Sequence, residues 1–357
     1  MTVTDHRDTV RRHAYHALRV LDVVDETADT RTFVMDVPPS LVETYHYTPG
    51  QFCTVRANIG GEHVQRCYSM SSAPATDDRL AVTVKRVPGG LMSNWLHDHV
   101  AAGDELELMP PAGVFCATGS DGPIVAFCGG SGVTPVFSIL KGVLASGTRS
   151  VRLFYANRDA DAVIFREAIA ALEHANSDRL TVHHHLDADS GYVTADDIAG
   201  FLGDAADAHV FVCGPTPFMD LVEAGASAAG VPAEHIAIER FVNTAVDGDE
   251  PAGAAGVPSA ATADGPTTLT ITIKKKRHVL QHVAGDTILD AARRASLNPP
   301  YSCEQGNCAT CMALVTEGSV EMRVNNALTP DELEEGWVLT CQALPTSTQI
   351  AIEYDDL

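Results

Sequence analysis

The sequence predicts a multidomain chain in which an antiparallel β-barrel is followed by an α/β parallel-sheet domain and then by a small α+β domain. Three observations lead there. Residues 15–117 read as evenly spaced short strands, 118–241 as alternating strands and helices, and 242–266 as a linker that sets off a last unit at 267–357. A length of 357 residues suits two or three domains, and an apolar content of 45% is ample for separate cores.

In the first unit, 31-RTFVMDV-37, 51-QFCTVRA-57, 80-LAVTVKRV-87 and 104-DELELMP-110 are strand-like, with turns such as 48-TPG-50 and 88-PGG-90 between them. One helix, 91–100, interrupts the strands. In the second unit, strands at 123–128, 151–156, 180–186, 209–214 and 235–241 alternate with helices at 136–144, 163–175, 195–202 and around 217–225. Successive βα units imply a parallel, doubly wound sheet. Segment 242–266 has no Lys, Arg or aromatic residue and is rich in Ala, Gly and Pro, a linker composition. Beyond it, Leu269, Ile271 and Ile273 alternate with polar residues, and a hairpin returns through Val279 to Val283. A helix at 287–295 opens with the capping box Thr287 and Asp290.

The chain carries 47 Asp and Glu against 24 Lys and Arg, a formal charge of −23. That surface repels phosphate backbones, so nucleic acid is not an expected partner. It suits a partner with a basic docking patch, or simply keeps the protein soluble. The start of the chain has no secretory pattern and no run of 18 apolar residues occurs, so a cytoplasmic protein without a membrane partner is expected. A reducing compartment disfavours disulfides. The single basic run, Lys274 to Arg277, reads as a solvated strand end or a docking patch. Adjacent strand residues point to opposite faces, so His183, His184 and His185 are not expected to share a metal ion.

Three of the nine cysteines, Cys303, Cys308 and Cys311, fall in the spacing C-x4-C-x2-C, and Cys341 lies 30 residues further on. This is the ligand spacing of plant-type [2Fe–2S] clusters, where a tight loop supplies three thiolates and a distant strand end the fourth. Structural zinc, the alternative alongside free thiols, prefers two short Cys pairs, and only one is present. Gly306 lets the loop turn, and the small Ala309 and Thr310 leave N–H groups to point at sulfur. Residues 267–357 resemble a plant-type ferredoxin domain of β-grasp fold, which implies Cys303, Cys308, Cys311 and Cys341 as the cluster ligands. The other cysteines, Cys53, Cys67, Cys116, Cys128 and Cys213, read as buried structural thiols.

The stretch 66-RCYSMSS-72 has the form R-x-Y-S and follows 48-TPGQF-52. The combination resembles the flavin-binding barrel of the ferredoxin–NADP reductase superfamily. That resemblance implies Arg66 on the flavin phosphate, Tyr68 packed on the flavin, and the Ser69 hydroxyl beside the reactive ring nitrogen. In 89-GGLMSNWL-96, residues Gly90, Leu91, Met92 and Ser93 open a helix whose free N–H groups suit a phosphate. In the same family this segment contacts the pyrophosphate of FAD; FMN is the alternative. In 128-CGGSGVTPVFSIL-140 a strand, a Gly-rich turn and a helix form a phosphate cradle. Gly129, Gly130 and Gly132, with Thr134 and Pro135, match the superfamily's NAD(P)H-binding form rather than G-x-G-x-x-G.

The C-G-P at Cys213, Gly214 and Pro215 borders the nicotinamide in that family, and Glu239 on the final strand is expected at the flavin edge. Ser69, Cys213 and Glu239 are therefore the expected catalytic residues. Arg158 is the one cation of the adenosine-side loop, and its neighbours Asp159 and Asp161 disfavour an added phosphate, which points to NADH over NADPH.

The whole of 15–357 is similar to the reductase components of bacterial oxygenases, those of 3-ketosteroid 9α-hydroxylase first and of phenylacetyl-CoA epoxidase next. The resemblance implies an oxidoreductase with an FAD barrel, an NAD domain and a [2Fe–2S] ferredoxin domain. Electrons would pass from NADH to a separate terminal oxygenase, of Rieske type for the steroid system. A flavohaemoglobin needs a globin ahead of the barrel, where only about 14 residues stand. A non-catalytic electron carrier or binding module would leave the glycine motifs without a purpose.

Overall fold

A computed structural model describes residues 13–117, 122–241 and 267–354, and the linker expected at 242–266 lies outside the described residues. Strands β1 (His16–Thr27), β2 (Thr30–Asp36), β3 (Phe52–Ile59), β4 (Glu62–Ser69), β5 (Leu80–Lys85) and β6 (Glu105–Leu108) pair in the order β4-β3-β6-β1-β2-β5. A further bridge, Met70 to Val82, joins the two edges and closes the sheet into a barrel. Leu18, Val20, Phe33, Val55 and Val82 fill the interior, as period-2 alternation requires. Helix α1 (Leu91–His99) buries Met92 and Leu96 in the same core.

The second unit runs β7 (Ile124–Gly129), α2 (Val133–Ser146), β8 (Val151–Asn157), α3 (Arg166–Ala175), β9 (Leu180–Leu186), α4 (Asp187–Ser190), α5 (Ala195–Leu202), β10 (His209–Cys213), α6 (Thr216–Ala228) and β11 (Ile236–Glu239). The strands are parallel, in the order β11-β10-β7-β8-β9. The chain winds outward in both directions from β7, so the switch point lies between the carboxyl ends of β7 and β10. Ligands bind at such a crevice in open α/β sheets.

The expected helix at 163–175 begins only at Arg166. Val163, Ile164 and Phe165 are buried, and Phe165 takes a left-handed φ of 58° that stacks its ring 4.7 Å from Phe137. Those apolar residues plug the core ahead of the helix instead of forming its first turn. The three adjacent histidines divide as expected: His183 and His185 pack on Phe154, and His184 on Tyr155.

The last unit comprises β12 (Thr268–Ile273), β13 (Lys276–Gln281), α7 (Ile288–Arg294), β14 (Met312–Glu317), β15 (Val320–Met322), α8 (Pro330–Glu334), β16 (Trp337–Leu339), β17 (Ala343–Pro345) and β18 (Gln349–Glu353). Its main sheet has the order β13-β12-β18-β14-β16, with β12 and β18 parallel at the centre. The capping box forms: the Thr287 hydroxyl accepts from Asp290 N at 3.1 Å, and the Asp290 carboxylate accepts from Thr287 N at 3.0 Å. Ile288, Leu289 and Ala292 are then buried against the sheet and the loop. Lys274 and Lys275, with φ of 49° and 60°, form the exposed tight turn between β12 and β13.

Specific contacts join the three units. The Ser138 hydroxyl donates to Ser72 O at 2.6 Å and Lys141 pairs with Asp77 at 2.7 Å, fixing α2 on the barrel. Gln305 donates to Arg240 O at 2.8 Å, and buried Glu332 meets His13 at 3.1 Å. Gly132 lets the two loops at the switch point touch: a Cβ there would lie 2.1 Å from the Cys213 carbonyl oxygen. Gly132→Ala is expected to cost about 1–3 kcal/mol, as overpacking against backbone does. Gly200→Ala, in α5 with no atom within 4 Å of the new Cβ, is expected to stabilise by roughly 0.5–1 kcal/mol. Thermal unfolding of the two variants checks the opposite signs.

Candidate cofactor cleft and thiol cluster

One cleft, with a cavity volume of about 140 Å³, lies where the three units meet. The barrel contributes Arg66, Tyr68 and Ser69 from β4, together with the start of α1. The parallel sheet contributes Ser131 and Thr134 after β7 and Glu239 at the end of β11. The third unit contributes Cys303 and Asn307. A strand, two helix starts and the cysteine loop thus converge on one space.

Ser69 is 3% exposed, and its hydroxyl donates to the Glu239 carboxyl at 3.0 Å. This bond bridges the barrel and the parallel sheet. Burial pushes the Glu239 carboxyl up to about 8, against the downward pull of the Ser69 hydrogen bond. In register, Glu239 sits beside Cys213 and Cys213 beside Cys128 on successive parallel strands. Gly214 and Pro215 pack directly against Gly129. The two motifs read separately in the sequence are therefore two walls of one crevice.

Gly90 caps α1 with no side chain on the helix's first N–H groups. Ser93 turns its hydroxyl back to accept from Val87 N at 3.1 Å, and Asn94 donates to Val87 O and Gly90 O. The loop is thus held open by its own side chains. Leu91 is exposed while Met92 is a core residue. Thr134 donates to Ser131 O at 3.0 Å and fixes the Gly-rich turn, with Pro135 buried in the first turn of α2. Arg158 directly follows β8 on the carboxyl-end side of the sheet, well exposed and held by Asp159 at 2.7 Å.

The four thiols of the last unit meet as two pairs. Cys303 N donates to Cys308 Sγ at 3.5 Å, and Cys311 and Cys341 lie close enough to shift each other's thiols. The route of Cys341 to the loop is visible. Strands β14 and β16 pair Met312 with Leu339, so Cys311 just before one strand and Cys341 just after the other fall together. Thr340 locks the approach by donating from its N–H and its hydroxyl to Cys311 O.

Left-handed residues Glu304, Gly306 and Ala309 coil the loop inward. A Cβ on Gly306 would lie 2.8 Å from Val324 O. The N–H groups of Gln305 and Asn307 lie 3.4 Å from Cys303 Sγ and that of Cys303 lies 3.5 Å from Cys308 Sγ, whereas the expected groups are those of Ala309 and Thr310. Two thiol pairs suit two irons, each needing two protein ligands.

All nine cysteines are unbridged. Cys53, Cys128 and Cys213 are buried as expected, but Cys67 and Cys116 are only partly buried. The cleft also holds Thr83, Lys85, Ser131 and Gln305, which the motifs did not single out. Strand alternation alone places Thr83 and Lys85 of 80-LAVTVK-85 on one face. Gln305 carries no comparable signal, because a fold contact brings it in.

Comparison with known proteins follows the same three parts. The 2Fe-2S iron-sulfur cluster binding domain family matches residues 271–346, the oxidoreductase NAD-binding domain family 127–224, and the oxidoreductase FAD-binding domain family 17–116. The chain is 40% identical to the 3-ketosteroid-9-alpha-monooxygenase ferredoxin reductase component of Mycolicibacterium smegmatis, over 95% of this chain and 97% of the relative. It is 33% identical to one of the subunits of the 1,2-phenylacetyl-CoA epoxidase of Escherichia coli K12, over 96% and 98%. A solved phthalate dioxygenase reductase shares the fold, with TM-score 0.59 and 22% identity over 95% of this chain and 98% of that one. Among the described residues no helix is long and apolar enough to cross a membrane. The chain therefore belongs to the family of monooxygenase reductase components that carry FAD-binding, NAD-binding and [2Fe–2S] domains in one polypeptide.

Proposed function

We propose that this reductase component takes electrons from NADH and delivers them, in the cytoplasm, to the Rieske oxygenase of a steroid 9α-hydroxylating system. The observation that carries the reading is the single cleft lined at once by the R-x-Y-S strand, Glu239 of the parallel sheet and Cys303 of the thiol loop. The choice of steroid system rests on the 40% identity over nearly the whole chain. We assign the barrel to 15–117, the nicotinamide domain to 118–241, the linker to 242–266 and the ferredoxin domain to 267–357.

The bound groups supply the redox chemistry: a hydride acceptor that can release electrons singly, and a one-electron cluster. The chain's own residues bind and orient. Arg66 holds the flavin phosphate, Tyr68 covers the ring, and Gly90, Leu91, Met92 and Ser93 present N–H groups to the pyrophosphate. Gly129, Gly130, Gly132, Thr134 and Pro135 cradle the dinucleotide phosphates. Cys213, Gly214 and Pro215 wall the nicotinamide, and Cys303, Cys308, Cys311 and Cys341 ligate the cluster. Ser69 and Glu239 form the polar wall at the reacting edge, and Glu239 is neutral at pH 7, so it adds no charge against the incoming hydride. Arg158, already engaged by Asp159, offers little to a 2′-phosphate.

Three outcomes test this reading. Between pH 4.5 and about 8 the folded protein keeps a Glu239 proton that the unfolded chain releases, so stability falls as pH rises through that window. Above about 8 the ionised carboxylate opposes negative charge entering the flavin, so stopped-flow reduction by NADH should slow. Glu239→Gln should flatten both profiles, and an unchanged high-pH limb would remove Glu239 from the reacting edge. For the coenzyme, stopped-flow reduction should be faster with NADH than with NADPH at equal concentration; the reverse order overturns the choice.

For the acceptor, reconstitution with candidate oxygenases should give 9α-hydroxysteroid. Cys308→Ser should abolish that support while dye reduction through the flavin persists. Epoxide formation with a phenylacetyl-CoA oxygenase, and none with the steroid enzyme, would reassign the partner.

A further inference from the structure

Four of the seven cations in residues 267–357 stand side by side, at Lys274, Lys275, Lys276 and Arg277, on a chain whose formal charge is −23. The other three are engaged: Arg293 by Glu304, Arg294 by Asp286, and Arg323 by Gly285 O. All four residues of the run are exposed, and among the described residues Lys274, Lys276 and Arg277 make no ion pair. They wrap the two-residue turn between β12 and β13, which Ile273 closes by pairing with Lys276. Both turn residues are left-handed, Lys274 at a φ of 49° and Lys275 at 60°. Asn and Gly hold such a turn without strain, so lysine stands here against the preference of the backbone. Strand β13 is also an edge of its sheet, and Val279 on it is 61% exposed.

The turn lies at the thiol-loop end of the sheet. Thr272 and Leu314 both stand opposite Glu353 of β18, and β14 begins at Met312, directly after Cys311. Three strand spacings, about 14 Å, separate β13 from β14. Hydrogen bonds fix that offset. Tyr354 N donates to Thr272 O at 2.9 Å, the Tyr354 hydroxyl donates to Thr340 Oγ1 at 2.9 Å, and the Thr340 hydroxyl donates to Cys311 O at 2.8 Å. The cationic tip is thus held at a set distance from the thiol loop, on a corner that stays exposed with all three units in place.

We propose that this tip is the docking point for the electron-accepting protein, which meets it with an acidic surface patch; the proposal rests on the reading of the chain as a reductase component with a separate acceptor. Charge complementarity selects the occupant. Elsewhere the strongly acidic surface repels an acidic partner, so such a partner is drawn in at one point and in one orientation. That point shares an end of the sheet with the thiol loop. Electron transfer falls steeply with distance, so the attraction that steers the partner also brings its redox centre to the productive end of the chain. Val279 adds an apolar contact beside the charges. An anionic membrane fits less well: Lys274 to Arg277 include no aromatic or apolar residue to insert, and the rest of the chain repels anionic lipid.

The test uses the full chain loaded with FAD and cluster, together with the oxygenase that gives product with it, at low and at high salt. Lys274→Asn/Lys275→Gly gives the turn its preferred residues, so Tm should hold or rise while KM for the oxygenase rises several-fold. Lys276→Glu/Arg277→Glu should raise that KM by about tenfold or more with kcat little changed, and the difference from wild type should shrink as salt screens the charges. Dye reduction and the flavin-to-cluster rate should stay the same in both variants. An unchanged KM in both overturns the proposal. A slowed flavin-to-cluster rate also overturns it, because the tip would then act inside the chain. So does sedimentation of the wild type, and not of the variants, with phosphatidylglycerol vesicles, which would make the tip a membrane site. No product from the wild type with any oxygenase overturns the acceptor reading, and the docking proposal with it.

Discussion

The hydrogen bond from Ser69 to Glu239 joins the barrel to the parallel sheet inside the cleft, where the Ser138–Ser72 and Lys141–Asp77 contacts already fix α2 on the barrel, and it sets two walls of the cleft against each other. A barrel alone has no second wall for a flavin edge, and a parallel sheet alone ends in an open crevice. The bond at 3.0 Å places the end of β11 over the end of β4. Burying a carboxyl there is tolerable because it stays protonated at neutral pH and is paired with a hydroxyl. The thiol loop completes the enclosure, tied by Gln305 to Arg240 O and by Ser302 to Cys67.

Features written in local chemistry were legible. The capping box of Thr287 and Asp290, the strand–turn–helix at Gly129–Gly132 and the alternation of Leu269, Ile271 and Ile273 depend on residues a few positions apart, and each forms where the sequence places it. The meeting of Cys303, Cys308, Cys311 and Cys341 at one loop was legible because their spacing encodes that loop. Phe165 was not: its helical-looking neighbourhood gives way to a left-handed turn because the core needs its ring against Phe137. Cys67 was read as a buried thiol like Cys53. Only the docking of a domain more than 230 positions away gives it Ser302 as a partner.

The acidic surface leaves the tight turn at Lys274 and Lys275 as an exposed cationic tip on the ferredoxin unit. Left-handed φ at two lysines is an uncommon choice for a turn that normally uses Asn or Gly. The cysteine loop, by contrast, faces inward toward the flavin strand, the side from which electrons would enter this small domain.

The central claim is that the three units form one relay within a single chain. Anaerobic mixing with NADH, followed by flavin absorbance and rapid-freeze EPR across a range of protein concentrations, tests it most directly. A relay within one chain predicts that the iron–sulfur signal grows in after flavin bleaching with a rate independent of protein concentration. A rate that rises in proportion to protein concentration, or a bleached flavin with no iron–sulfur signal, would contradict it.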